Sequence, residues 1–192
     1  ILIGLIVGLM AATMIQLAKT VQTQNHRPIL LRMILVGLLT GTLAIFLPQI
    51  SGVGYDTLQQ AMLGQIGIGL LVAIIIAKML TATTAISLGM AGGIIGPILF
   101  IGTCIGATIG AISTMMLPDI DARTGLYATL GMGAMMGAVL NAPLAALIAV
   151  IEFTYEPRIL LPSMLTIVVA TITARSLSKT TDFFSIDRDR SQ

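Results

Sequence analysis

The chain has 192 residues, 56% of them hydrophobic and only 9% charged, with a mean hydropathy of +1.02. A soluble domain carries roughly 25% charged residues, and a disordered segment combines low hydrophobicity with high charge. Both classes are therefore excluded, and a net charge of +2 is too weak to point to nucleic acid. What remains is a polytopic membrane protein, or a piece of one, built as a single helical bundle.

A membrane-crossing helix needs roughly 20 apolar residues. The first candidate runs from Ile1 to about Ala18, followed by a polar link from Lys19 to His26. It has neither a basic leader nor a cleavage site bounding it, so it does not read as a signal peptide. Arg27-Pro28 begins the next element, whose apolar body extends from Met33 to about Leu47 and is closed by Pro48. Gln49–Asp56 is rich in turn formers, with Gly52 and Gly54. A short amphipathic piece, Thr57–Leu63, precedes a helix predicted over Ile66–Leu80, which carries Lys78 near its end.

From Met79 to Pro118 there is no charge, which is longer than one span. Glycines and Pro97 divide this run into a loop at Gly89–Pro97 and a helix from about Pro97 to Ile112. Pro118–Arg123 reads as an aqueous loop. Thr124–Ile151 is a second uncharged run, split near Asn141-Ala142-Pro143. A loop over Glu152–Arg158, a helix from about Ile159 to Ala174 and a polar tail from Arg175 complete the chain. The expected fold is an all-α membrane protein of tilted and broken helices. Irregular backbone at membrane depth survives only where protein buries it or a cavity borders it. Gly106-x-x-x-Gly110 and Gly133-x-x-x-Gly137 have the spacing of closely packed helices. Lys19, Arg27 and Arg32 around the first link, and the basic residues of the tail, place both on the cytoplasmic side. Pro48–Leu63, with Asp56 and no basic residue, falls outside.

Few residues offer chemistry. Cys104 is the single cysteine and lies in an apolar stretch, so packing is its expected role; His26 is the single histidine and sits in a polar link. No hydrolytic constellation, phosphate loop or metal-binding motif is present in the sequence, and no cofactor is expected. Lys78 is an ionisable residue within a span, which marks a functional candidate, yet its long stem permits snorkelling from a helix end; structural positioning is the preferred role. Glu152, beside Thr154, is expected to cap a helix or meet a neighbour.

The strongest local signal is Gly92-Gly93-Ile94-Ile95-Gly96-Pro97. Glycines admit close backbone approach, and proline is favoured in a first helical turn. A helix therefore starts near Ile94, and its first N–H groups lack an intrahelical partner. The helix dipole adds positive potential there, so a dehydrated anion is a suitable ligand. On spacing alone, the same run also describes an ordinary kink.

Ser87–Ala111 (SLGMAGGIIGPILFIGTCIGATIGA) resembles the CLC family of chloride channels and chloride/proton exchangers, in which a glycine-rich loop leads into a G-x-F-x-P-type motif and an apolar helix. Tyr127–Thr154 resembles a second stretch of that family, with Met132, Ala134, Ala142-Pro143-Leu144, Glu152 and Thr154 at matching spacings. Lys78 and the threonines from Thr81 to Thr84 resemble the residues that precede the loop. The resemblance implies that residues 1–192 form the C-terminal half of a CLC-type inverted-repeat membrane domain, with the N-terminal half upstream. It also implies a homodimer, with Tyr127–Glu152 and Ile159–Ala174 at the subunit interface, and chloride or another small anion as the transported ligand; the short loops separately point to a prokaryotic inner membrane. The N–H groups of Ile94 and Ile95 would hold that ion, and Gly93 would leave room for it. A family tyrosine that touches the ion aligns with Phe184, which has no hydroxyl; the missing bond is worth about 0.5–1.5 kcal/mol. Ile95 and Gly96 also replace the usual aromatic and alanine of the motif. The family's serine loop and its gating and proton-transfer glutamates belong to the other half, so channel and exchanger both stay open. A non-transporting CLC-like scaffold is the alternative from another class, and an intramembrane enzyme the third.

Overall fold

The computed structural model describes residues 1–23, 28–52, 54–90, 92–116 and 124–178. His26, Arg27, the Pro118–Arg123 loop, Phe184 and the basic residues of the tail beyond Arg175 lie outside them. Among the described residues, eight α-helices follow in order: α1 (Leu2–Thr23), α2 (Ile29–Phe46), α3 (Tyr55–Met62), α4 (Ile68–Ser87), α5 (Ile95–Met116), α6 (Thr124–Leu140), α7 (Pro143–Thr154) and α8 (Leu160–Ser178). Single 3-10 turns at Pro48–Ile50 and Pro157–Ile159 precede α3 and α8. The described residues contain no strand. In a bilayer, a helix is the one open-ended element that satisfies its own backbone, so the all-α expectation holds.

Among the described residues, five helices are long and apolar enough to cross a membrane: α1, α2, α4, α5 and the segment Pro157–Ser178 that contains α8. The chain is therefore an integral membrane protein. α6 and α7 have 17 and 12 residues, or about 26 and 18 Å at 1.5 Å per residue, each short of the hydrocarbon core of about 30 Å. The break between them falls where the sequence places it. Asn141 adopts φ 54°, a left-handed conformation that asparagine tolerates better than most residues. Pro143 follows in the first turn of α7. Arg175, in the last turn of α8, donates from Nε to Asn141 Oδ1 and ties the break to another helix.

Several helices run further than expected. α1 continues past Ala18 through Lys19 and Thr20 to Thr23, and α8 continues past Ala174 through Arg175 to Ser178. Gln16 Nε2 donates to Leu177 O at 3.1 Å, joining the two ends. α4 continues past Leu80 to Ser87, because Thr81 and Thr84 return their hydroxyls to carbonyls of their own helix. α5 starts at Ile95, next to the start expected near Ile94, and passes Ile112 to end at Met116. α7 takes in Glu152 and ends at Thr154, so the loop expected from Glu152 begins at Tyr155.

Glycine contacts set the packing. A Cβ on Gly4 would meet Thr166 O at 2.8 Å, and one on Gly8 would meet Ala170 O at 2.7 Å, so α1 and α8 touch backbone to backbone. Gly102 and Gly106 of α5 face Gly131 and Tyr127 of α6 in the same way. Gly133 and Gly137 seat Val150 of α7 and Ile167 of α8 against α6. Both small-residue pairs expected to pack helices closely do so. α6 is consequently the central helix, buried over most of its length, whereas α2 buries only Val36.

Candidate functional site

The turn before α5 brings the three described residues of the predicted anion site together. Ile94 is 8% exposed, and its side chain joins the core beside Ile98 and Phe100. That burial anchors the start of the helix from the inside. Gly92 and Gly93 are exposed, and a Cβ on either would meet nothing within 4 Å. Neither glycine has a positive φ. Their lack of a side chain is thus required neither by local backbone geometry nor by packing within these residues. What the two glycines leave is open space in front of a helix N-terminus. Ile95 is the first residue of α5 and is 50% exposed.

The backbone polarity of this turn follows from helix geometry. Ile98 N–H donates to Ile94 O at 3.2 Å, the first bond of the ladder outside the helix proper. Among the described residues no backbone carbonyl receives the N–H groups of Ile94, Ile95 or Gly96, and Pro97 has none to donate. A 22-residue helix therefore aims its first donors into the opening beside Gly92 and Gly93. No fixed cation is needed for this end to attract an anion. Phe184, the fourth predicted site residue, lies outside the described residues.

Lys78 does not snorkel. α4 extends nine residues past it, and the side chain is 6% exposed. Its Nζ donates to Ile50 O and Gly52 O, each at 2.7 Å. The preferred role, structural positioning, holds, but through burial and not through a helix end. Those carbonyl partners were not legible from the sequence, because they lie 28 and 26 residues upstream. Cys104 is fully buried in the core, as expected. Glu152 is exposed in the last turn of α7; the hydroxyl of Thr154 accepts from Glu156 N–H at that end.

The model of the voltage gated chloride channel family matches residues 1–175. The chain belongs to that family. Two H(+)/Cl(-) exchange transporters named ClcA, from Salmonella agona and Salmonella arizonae, are each 34% identical to it over 142 residues. Those matches cover 74% of this chain and 30% of each relative, so the chain spans under a third of their length. A slow cyanobacterial Cl-/H+ antiporter of known structure superposes over the whole chain with a TM-score of 0.87 at 23% identity, and 46% of that antiporter is covered.

Proposed function

We propose that this chain is the C-terminal half of a chloride-transporting membrane domain, working as channel or chloride/proton antiporter. The observation that carries this reading is the open turn at Gly92–Gly93, in front of N–H groups at the start of α5 that no backbone carbonyl receives among the described residues. Replacing part of an ion's hydration shell with backbone dipoles binds it without the depth of a full countercharge, which leaves it free to move on. The partly covered relatives, named as exchange transporters, support chloride as the anion and a bacterial inner membrane as the location. An upstream half would supply the other side of the ion path; the coverage of 46% of the antiporter of known structure accords with one half of such a domain.

A homodimer is part of the same reading. Leu144, Ile148 and Phe153 on α7, and Leu161, Val168 and Ile172 on α8, are exposed apolar side chains available to a partner. α6 is not available, because its own neighbours cover it; the interface share assigned to Tyr127–Glu152 contracts to α7.

The deciding experiment follows chloride efflux and proton movement together from liposomes holding the full-length protein. Proton uptake in fixed ratio to chloride identifies an antiporter, and chloride flux alone a channel. Flux of neither overturns the chloride reading and leaves another anion or the non-transporting scaffold. Phe184→Tyr is expected to tighten chloride binding by about 0.5–1.5 kcal/mol, the value of one restored hydrogen bond. Calorimetry showing unchanged affinity would remove Phe184 from the site.

A further inference from the structure

Phe100 is fully buried on α5 and is confined by two groups from other elements. One is Gly54, which precedes α3 with φ +74°. A Cβ there would stand 2.5 Å from Phe100 Cε2, so a side chain at Gly54 is blocked twice, by backbone conformation and by the ring. Lys78 Nζ also lies 5.0 Å from the ring centroid, within the range of a cation–π contact. The same Nζ holds the carbonyls of Ile50 and Gly52, and Ile50 is itself buried in the common core. A buried amino group is costly unless its donors are satisfied, so the turn carbonyls and the ring are held as firmly as the lysine is. Three separated pieces of chain, the Pro48–Gly52 turn with Gly54, α4 and α5, thus meet at one aromatic ring.

We propose that Lys78 is a positioning residue for the anion site: by locking the Pro48–Gly52 turn beside Phe100, it fixes how the start of α5 presents the N–H groups of Ile94 and Ile95. Phe100 stands about 7–8 Å along the helix axis from Ile95, and Ile94 and Ile98 share its core. A shift at the ring therefore moves the first turn as a unit. This inference rests on the reading of those amides as an anion site.

The test uses full-length protein with Lys78→Met, Lys78→Arg and Gly54→Ala. Amide hydrogen exchange over residues 92–100 reads the lock, and chloride calorimetry reads its consequence. Lys78→Met and Gly54→Ala are each expected to speed exchange by about tenfold and weaken chloride binding by about fivefold or more. Lys78→Arg, which still reaches two carbonyls and stacks on a ring, stays within about twofold of the parent on both. Wild-type exchange in Lys78→Met overturns the proposal. So does normal chloride affinity in Gly54→Ala beside a weakened Lys78→Met, which makes the charge and not the lock the operative property. Should Lys78→Met fail to fold, Gly54→Ala and Lys78→Arg decide alone, through opposite expected results. If the unsubstituted protein binds no chloride, the anion reading fails by itself, while the exchange comparison still decides whether Lys78 sets the start of α5.

Discussion

Gly93→Leu is expected to weaken chloride binding by about 10- to 150-fold and to leave the helices intact. A hydrogen bond to a charged group is worth about 1.5–3 kcal/mol, and 1.4 kcal/mol is a factor of ten, so losing one donor suffices. The structure explains why folding is spared. A Cβ at Gly93 meets no atom within 4 Å, and the residue has no positive φ to strain. The bulk of leucine would instead fill the opening in front of Ile94 and Ile95. Circular dichroism and chloride calorimetry on one preparation separate the two effects. Unchanged affinity in a folded Gly93→Leu protein would place the anion elsewhere.

Gly106→Ala carries the opposite signature: a large loss of stability at a position with no role in binding. The added methyl would run into the carbonyl of Tyr127 and approach Ala128 Cα to 2.8 Å. Those are backbone atoms of α6, which cannot rotate away as a side chain would. Overpacking of this kind costs about 1–3 kcal/mol, and here it acts on the pairing of α5 with the central helix. Gly110→Ala should cost visibly less, because its nearest neighbours stand at 3.1 and 3.2 Å and need yield only slightly. Thermal unfolding of the two variants in detergent checks the order. Equal midpoints would show that α5 and α6 are less tightly apposed than described.

The helix start at the candidate site was legible from the sequence, and for a local reason. Gly92-Gly93 followed by Pro97 fixes a helix start within a few residues, whatever surrounds it. The break at Asn141-Ala142-Pro143 was legible on the same grounds. Helix ends set by polar side chains were not. Lys19, Thr81, Thr84 and Arg175 look like stops, yet helices pass through them. The threonines bond within their own helix, and Arg175 finds Asn141, which lies 34 residues away in the chain. The environment of Lys78 was equally hidden, because two carbonyls and a ring come to it from separate elements.

Apolar content and proline and glycine spacing, which act within one or two turns, were enough by themselves to determine a membrane-embedded all-α chain, the place of its breaks and the start of α5. Which apolar helix faces lipid and which faces protein was decided only in three dimensions. α2 and α6 are both apolar, and Gly37-x-x-x-Gly41 repeats the spacing of Gly133-x-x-x-Gly137. A Cβ on Gly37 or Gly41 nevertheless meets nothing within 4 Å, while Gly133 and Gly137 seat two other helices. Lipid tails are as apolar as leucine, so hydropathy does not distinguish a lipid neighbour from a helix. Shape complementarity between distant segments makes that choice, and it arises only when the segments have met.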